Sequence, residues 1–455
     1  MRKRYWIALG LVLALVLGVC AAACGEDEGT TTTAAAGGTA TTAAAGPTEV
    51  LKIGAMVSLS TPQGLEMQKW LNMFAKIKNE AGGWDIGGVK YEVQYNVYDC
   101  GIADATMARS AYEKAVLQDG VKYIVCTWTD VPSVAVTITE PNKVLWMGVD
   151  FSPDTLKPEF NYTLRAQCLS FALGAAYNMQ KYYVDKGAKT SLIVDTDTLQ
   201  SQVGNVNWAK AGELAGLQEM EPLTFPGDTT DFAPVATKIK SLNPDLVELA
   251  YVSNSDHLVN IIRALKDVGY DKFIYPGNID PKLLENIITQ VGKEYVEGWT
   301  GMYYDPRGIQ KDPDMLALID RYQQEYGEFR QEGIFWIGPW FLFEDAVNNT
   351  QSTDVDVIAN YLKSMDHGVN TLCGYTQLFA RPDVGIMSTI DSAPGHYMFE
   401  IVDGQMVAKR AVTVKDQYLV SIKALGLVEP FQKYWDENGK PSFPDEESLF
   451  DFSDL

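Results

Sequence analysis

Val121 to Asp130 reads VKYIVCTWTD. Val121, Tyr123, Ile124 and Val125 form a short apolar run of β-branched and aromatic residues, the composition of a strand buried in a sheet. The run breaks at Cys126. Thr127, Trp128, Thr129 and Asp130 follow before Pro132, a residue suited to the first turn of a helix. Small hydroxyls and an indole therefore stand where a buried strand passes into a helix. In open α/β sheets, ligands bind in the crevice outside the carboxyl ends of the strands, so this stretch reads as one wall of such a crevice. Taken alone it reads better as an ordinary strand-to-helix loop, and the neighbouring sequence has to decide.

Working outward, the same alternation recurs. Leu51–Leu59 (LKIGAMVSL) reads as a first buried strand, Ser60 to Gly64 with Gln63 as a loop, and Leu65–Glu80 as a helix. Tyr91–Tyr98 is a second strand reaching Asp99 and Cys100, and Asp104 caps a helix running to Leu117. Val144–Val149 is a fourth strand that ends at Asp150, Phe151 and Ser152. Strand and helix at this regular spacing predict an α/β fold with a doubly wound parallel sheet. Near residues 162–170 the chain leaves this lobe and the pattern restarts. Ser191–Asp195 is a strand followed by a polar loop containing Gln200. Asp231 caps a helix to Leu242. Leu246–Val252 is a strand followed by Ser253 and Asn254, and Phe273–Tyr275 is one ending at Asn278 and Asp280. Beyond Trp299, helices are expected at Pro313–Tyr326, at Ile334–Asn348 (with Trp336, Trp340 and Phe341) and at Asp354–Ser364. A late hairpin follows around Asp403 and Gly404. This remainder is too short for a third domain, so the chain returns to complete both lobes. The expected division is 49–167 with 300–385 for the first lobe, 168–299 with 386–415 for the second, and an irregular acidic extension over 416–455.

The 455 residues exceed one ordinary core, and a net charge of −22 argues against nucleic acid as a partner. Arg2, Lys3 and Arg4, the apolar run Trp6–Gly18 and the small residues Ala21 to Ala23 read as a signal peptide over 1–23. Small residues followed by cysteine resemble a bacterial lipobox, with Cys24 as the lipidation site. Residues 24–48, rich in Thr, Ala and Gly, read as a flexible tether, with a reach of roughly 25 Å. No Gly-Lys-Ser/Thr phosphate loop and no G-x-S-x-G elbow occurs, and His257, His367 and His396 are scattered without ligand-like spacing. No catalytic residue, metal or cofactor is implied, and the chain is not expected to be an enzyme. Cys100 and Cys126 end successive strand-like runs, which adjacent parallel strands would bring together; Cys168 and Cys373 remain as another pair, and connectivity stays open.

The stretch Thr224 to Val247, TFPGDTTDFAPVATKIKSLNPDLV, resembles the second-lobe signature of the branched-chain amino-acid-binding family, the substrate-binding proteins of ATP-driven importers. Asp231 with Phe232, Lys238 with Ile239, and Asn243, Pro244 and Asp245 carry the likeness. LKIGAMVSLSTPQG resembles the family's first strand and loop, and YDC at Tyr98–Cys100 and IVC at Ile124–Cys126 resemble its two disulfide cysteines. The resemblance implies two doubly wound parallel-sheet lobes joined by three crossovers, with ligand trapped by hinge closure. It also implies a Cys100–Cys126 disulfide, an ABC permease as partner, a lipid anchor and a monomer. Thr127 would contact a ligand carboxylate. Ser60, Gln63, Trp128, Asp150, Phe151, Ser152, Gln200, Ser253, Asn254, Asn278, Asp280 and Trp336 would complete the site. Asn278 occupies the position where relatives that bind α-amino acids carry an acidic residue, with Asp280 close by, which counts against an amino-acid ligand, while Trp128, Phe151 and Trp336 suggest a flatter or more aromatic one; the expected ligand is a small amino acid, amide or aromatic or other carboxylate compound. The competing readings are a receptor presenting a solute to a sensor kinase, and an exported α/β hydrolase.

Overall fold

The structure is a computed structural model. It describes residues 49–440 apart from 102–103, 129–131, 150–154, 156, 167–171, 198, 253, 278, 304–311, 328, 330–332, 335, 373, 383–385, 393–395 and 413. Cys24, Asp150, Phe151, Ser152, Cys168, Ser253, Asn278 and Cys373 lie outside the described residues.

The first half opens with β1 (Glu49–Val57), α1 (Pro62–Glu80), β2 (Trp84–Ile86), β3 (Val89–Asp99), α2 (Ala105–Glu113), β4 (Tyr123–Trp128), α3 (Pro132–Thr139), β5 (Leu145–Val149) and β6 (Thr163–Arg165). Leu51, Ile53, Ala55 and Val57 of β1 enter one apolar core and Met56 enters another. A strand buried on both faces needs a near-continuous apolar run, and that is what the sequence supplies. The chain then builds α4 (Ala172–Asp185), β7 (Thr190–Thr196), α5 (Leu199–Ala215), β8 (Gln218–Glu219), β9 (Leu223–Phe225), α6 (Ala233–Leu242), β10 (Leu246–Glu248), α7 (Ser255–Asp267), β11 (Phe273–Tyr275), α8 (Pro281–Val291), α9 (Lys293–Val296) and β12 (Thr300–Tyr303). It continues through α10 (Pro313–Tyr326), α11 (Gly338–Thr350), α12 (Val355–Lys363), β13 (Gly368–Thr371), β14 (Gly374–Arg381), β15 (Ile386–Ser392), β16 (His396–Val402), β17 (Gln405–Val412), α13 (Val414–Ala424) and α14 (Val428–Asn438).

The strands make a nine-stranded sheet in the order β13-β14-β15-β6-β5-β4-β1-β3-β2, a second sheet β11-β10-β7-β8 with β9 on β7, and a three-stranded sheet β12-β16-β17. The pairs β1–β3, β1–β4, β4–β5 and β7–β10 are all parallel, so the expected α/β fold is present. Trp70 of α1 stacks on Tyr322 of α10 at 4.1 Å, and Phe74 stacks on Trp340 of α11 at 5.0 Å. Trp340 and Phe341 are core residues.

Three expectations change. Thr300–Tyr303 pairs antiparallel with β16, and Trp299 joins the second core, so this segment belongs with the second half and not with 300–385. Ile386–Ser392 pairs with β6 and β14 in the first sheet, so the last passage between halves falls after residue 392 and not at 386. The tail read as irregular contains α13 and α14, whose Tyr418, Leu419, Ile422, Phe431 and Trp435 are buried. Aromatic residues at helical spacing gave these helices an apolar face that the acidic composition masked.

Candidate functional site

The carboxyl end of the first sheet is built from β1, β4 and the segments that follow them. After β1 the chain turns tightly. Thr61 N–H and Oγ1 both donate to Ser58 O, at 3.2 and 2.8 Å, and the Thr61 hydroxyl accepts from Gly64 N–H at 3.0 Å as the N-cap of α1. Pro62 takes the first helical turn, where its missing N–H costs nothing. Ser60 is exposed and Gln63 half-buried at the N-terminus of this helix. That terminus directs unpaired backbone N–H groups and positive dipole outward. Asp99 Oδ1 accepts from Leu59 N–H at 3.3 Å and from Gly101 N–H at 3.1 Å, tying the turn to the end of β3.

At the end of β4 the pairing with β5 slips between Val125 and Thr127, leaving Cys126 as a bulge residue at φ 61°. A non-glycine residue held there costs about 1–3 kcal/mol, and such strain concentrates at functional sites. The bulge turns Thr127 into the sheet, where it is fully buried and its hydroxyl accepts from Met56 N–H of β1 at 3.2 Å. The hydroxyl proton is left to donate elsewhere. Trp128 ends the strand opposite Val149. Cys126 Sγ approaches Ile337 O at 3.4 Å, so the segment carrying half-buried Trp336 sits against the end of β4. A Cβ on Gly333 would stand 3.0 Å from Glu66 Cβ and 3.2 Å from Met67 N, which places the same segment against the start of α1. The structure thus gathers Ser60, Gln63, Thr127, Trp128 and Trp336 around one end of the sheet. Trp336 precedes the helix rather than lying in it, because α11 starts at Gly338 with Pro339 in its first turn.

The expected Cys100–Cys126 disulfide is not formed. Strand β1 lies between β3 and β4, so the two runs are not the adjacent strands that the pairing assumed. The thiol of Cys126 faces Ile337 O, while that of Cys100 faces Gly101 O at 3.6 Å in a different apolar core.

In the second half, Gln200 lies in the first turn of α5, and Gln202 Nε2 donates to Asp197 Oδ1 at 3.2 Å. Asn254 and Asp280 already hold structural duties. Asn254 Oδ1 accepts from Asp256 and His257 N–H at 2.9 and 3.1 Å as the N-cap of α7, and Asp280 Oδ1 accepts from Leu283 N–H at 2.6 Å as the N-cap of α8. Asp195 is the penultimate residue of β7 and is not singled out by the sequence reading of that strand. Its Oδ1 accepts from Tyr251 N–H at 2.8 Å, its Oδ2 is buried without a partner, and burial raises its carboxyl well above the usual range. An acid near the end of an otherwise apolar strand is the sequence signal that points to it. Among the described residues no His, Cys, Asp and Glu group could hold a metal ion, and no helix is long and apolar enough to cross a membrane.

Two parallel sheets with polar strand ends are shared by many proteins, and the decisive observation is a match over most of the chain. The family model described as periplasmic binding protein matches residues 50–390. The chain belongs to the periplasmic binding protein family, of type I. A leucine-binding protein, LivK, from Thermotoga maritima superposes with a TM-score of 0.63 at 18% identity, covering 80% of this chain and 99% of that one. The closed form of a leucine-, isoleucine-, valine-, threonine- and alanine-binding protein from Brucella ovis gives 0.63 at 17% identity, covering 81% and 96%. A solute-binding protein of an ABC transporter from R. palustris, in complex with benzoate, gives 0.62 at 14% identity, covering 80% and 96%. No curated protein matches the sequence. These likenesses show the fold of this periplasmic binding protein; its ligand has to be argued from its own residues.

Proposed function

We propose that this periplasmic binding protein is the solute-binding component of an ABC importer, anchored outside the cytoplasm through a lipid on Cys24. It traps a small organic carboxylate, amino acid or amide between its two halves by hinge closure and delivers it to a permease. The observation that carries the reading is the convergence, at one end of the first sheet, of the α1 N-terminus, the strained Cys126 bulge with Thr127, and Trp128 and Trp336. A helix N-terminus favours an anion, a buried hydroxyl gives a directional donor, and aromatic rings exclude water around an organic body. Relatives of the same fold are named for leucine and for benzoate. Closure yields affinity in proportion to how much better the closed state holds the ligand.

A thermal-shift screen over amino acids, amides, aromatic acids and short carboxylates tests this, since a ligand that binds only the folded chain raises Tm. Turnover of a bound compound, or no shift across all four classes, counts against it. Trp128→Ala is expected to weaken the best hit about tenfold or more, the loss of one aromatic wall at roughly 1.5 kcal/mol. Thr127→Val has a double effect. It removes the donor, and it strands the buried Met56 N–H, lowering stability by about 1–3 kcal/mol. Thr127→Ser keeps the hydroxyl and should retain both binding and stability. Wild-type affinity in Trp128→Ala and Thr127→Val alike removes this strand end from the site.

A further inference from the structure

One face of the second sheet carries carboxylates that, among the described residues, meet no cation. In β7, Ser191, Ile193 and Asp195 alternate to one side. Glu219 of β8 pairs with Ser191, and Glu248 of β10 pairs with Ile193. Helices α4 and α5 cover this side with Gln180, Trp208 and Gly212. Trp208 Nε1 and Gln180 Nε2 both donate to Glu248 Oε2, the latter at 2.9 Å, and Gln180 Nε2 also donates to Trp208 O at 3.1 Å. A Cβ on Gly212 would stand 1.7 Å from Glu219 Oε1 and 3.1 Å from Gln180 Nε2, so the Glu219 carboxylate and the Gln180 amide press on the same point of α5.

What remains is a surplus of acceptors. Glu248 Oε1, both oxygens of Glu219, Gln180 Oε1 and Ser191 Oγ are buried without a hydrogen-bond partner. The Ser191 hydroxyl faces Glu219 without reaching hydrogen-bond geometry. The other groups that face the pair do not supply positive charge. From α5 comes Glu213, from β7 Asp195, and from α4 Tyr183, whose hydroxyl donates to Ile274 O at 2.8 Å. No Lys, Arg or His among the described residues forms an ion pair with Glu219 or Glu248. An isolated buried carboxylate is expensive, and it escapes the cost by taking up a proton, which also turns one acceptor oxygen into the missing donor.

We propose that Glu219 and Glu248 form a proton-operated lock on the second half: protonated, they supply the O–H donors that the unpartnered acceptors around them lack and let α4 and α5 stay packed on the sheet, and on losing their protons to solvent they repel each other and loosen that packing. The thermodynamics has a definite sign. Burial, with the Glu213 charge, lifts Glu219 from an ordinary 4.5 up to about 7, and burial, then the Glu219 charge, lifts Glu248 well above the usual carboxylate range. Both pKa values are raised, so the folded chain holds more protons than the unfolded one. The contribution is fully present below pH 4.5 and is lost as pH rises through about 7 and beyond.

The test is thermal unfolding of the full chain between about pH 5 and 8.5, the span between an ordinary carboxylic acid and the raised values, for wild type, Glu219→Gln and Glu248→Gln. Glutamine reproduces the neutral acid. The wild type is expected to lose several degrees more than either variant on going to high pH, and each variant to exceed the wild type at the alkaline end. Amide exchange in α5, corrected for intrinsic rate, should accelerate with pH in the wild type and not in the variants. Parallel pH slopes for all three proteins overturn the proposal. So does a rise in Tm specific to sodium, potassium or calcium at constant ionic strength, which would put a cation where the proton is placed. If Glu248→Gln does not fold, Glu219→Gln, at the half-exposed end of the pair, decides the matter alone.

Discussion

Gly64→Ala is expected to lower stability by about 3 kcal/mol and to abolish ligand binding with it. The position is the third residue of α1, where alanine would ordinarily be welcome. Here a Cβ would lie 1.9 Å from Ser58 O, 2.7 Å from Ser58 C and 3.0 Å from Val57 Cγ1. The first two neighbours are backbone. Ser58 O is also held by two donors from Thr61 and cannot swing away without giving up the turn and the N-cap together. Overpacking of a tight site costs about 1–3 kcal/mol and more where the obstacle is rigid, which places this substitution at the upper end. The helix start or the strand end has to move, and Ser60, Gln63 and the α1 N-terminus move with it. Denaturant unfolding should show a lower midpoint with an unchanged m-value. Gln63→Ala, one residue away, should leave stability nearly untouched. A Gly64→Ala protein with wild-type midpoint and ligand affinity would show that this turn is neither rigid nor part of the site.

Much of the fold was legible because its strands are buried on both faces, and continuous apolar runs such as Tyr123–Val125 and Leu192–Val194 cannot be satisfied at a surface. The turn residues around Asp403 and Gly404 were equally clear, since φ values of 51° and 76° favour those residue types. Strand order was not legible. Nothing local in the sequence says that β1 lies between β3 and β4, and the disulfide expectation failed on that point. The Cys126 bulge was hidden as well, because a one-residue slip in pairing belongs to two strands at once. Asn254 and Asp280 show a different limit. Asn two residues before an acid, and Asp before Pro281, are ordinary helix-start signals, and the same side chains are also good ligand contacts. Local sequence marks them as polar and positioned without saying which partner takes them. Thr127 and Trp128 are legible because they are the polar and aromatic end of a buried strand, and Ser60 and Gln63 because they lie between the first strand and the body of its helix, whereas Trp336 is marked only by its aromatic neighbours and precedes the helix in which the sequence pattern puts it.

The largest single effect is expected from Tyr418→Ala, in a region that looked least structured in the sequence. Tyr418 of α13 is 2% exposed and stacks on Phe379 of β14 with ring centroids 4.5 Å apart, while Phe431 of α14 meets it edge-on at 5.8 Å. Helix α13 packs on α4 and α5 of the second half, whereas Phe379 belongs to the first sheet. The tyrosine therefore links helices of one half to a strand of the other, and helices α13 and α14 lie beyond the span matched by the family model. Truncating a buried aromatic costs about 3–5 kcal/mol. It would leave Phe379, Phe431 and Trp435 facing a cavity that rigid strand β14 cannot fill. If α13 and α14 are integral to both halves, the variant unfolds in one transition at a lower denaturant midpoint. If the halves hold themselves together independently, the loss falls below about 1 kcal/mol, as for a surface substitution, or the curve divides into two transitions. A single shifted transition also constrains hinge closure: the rotation that traps a ligand must then carry α13 with it or slide Phe379 across Tyr418.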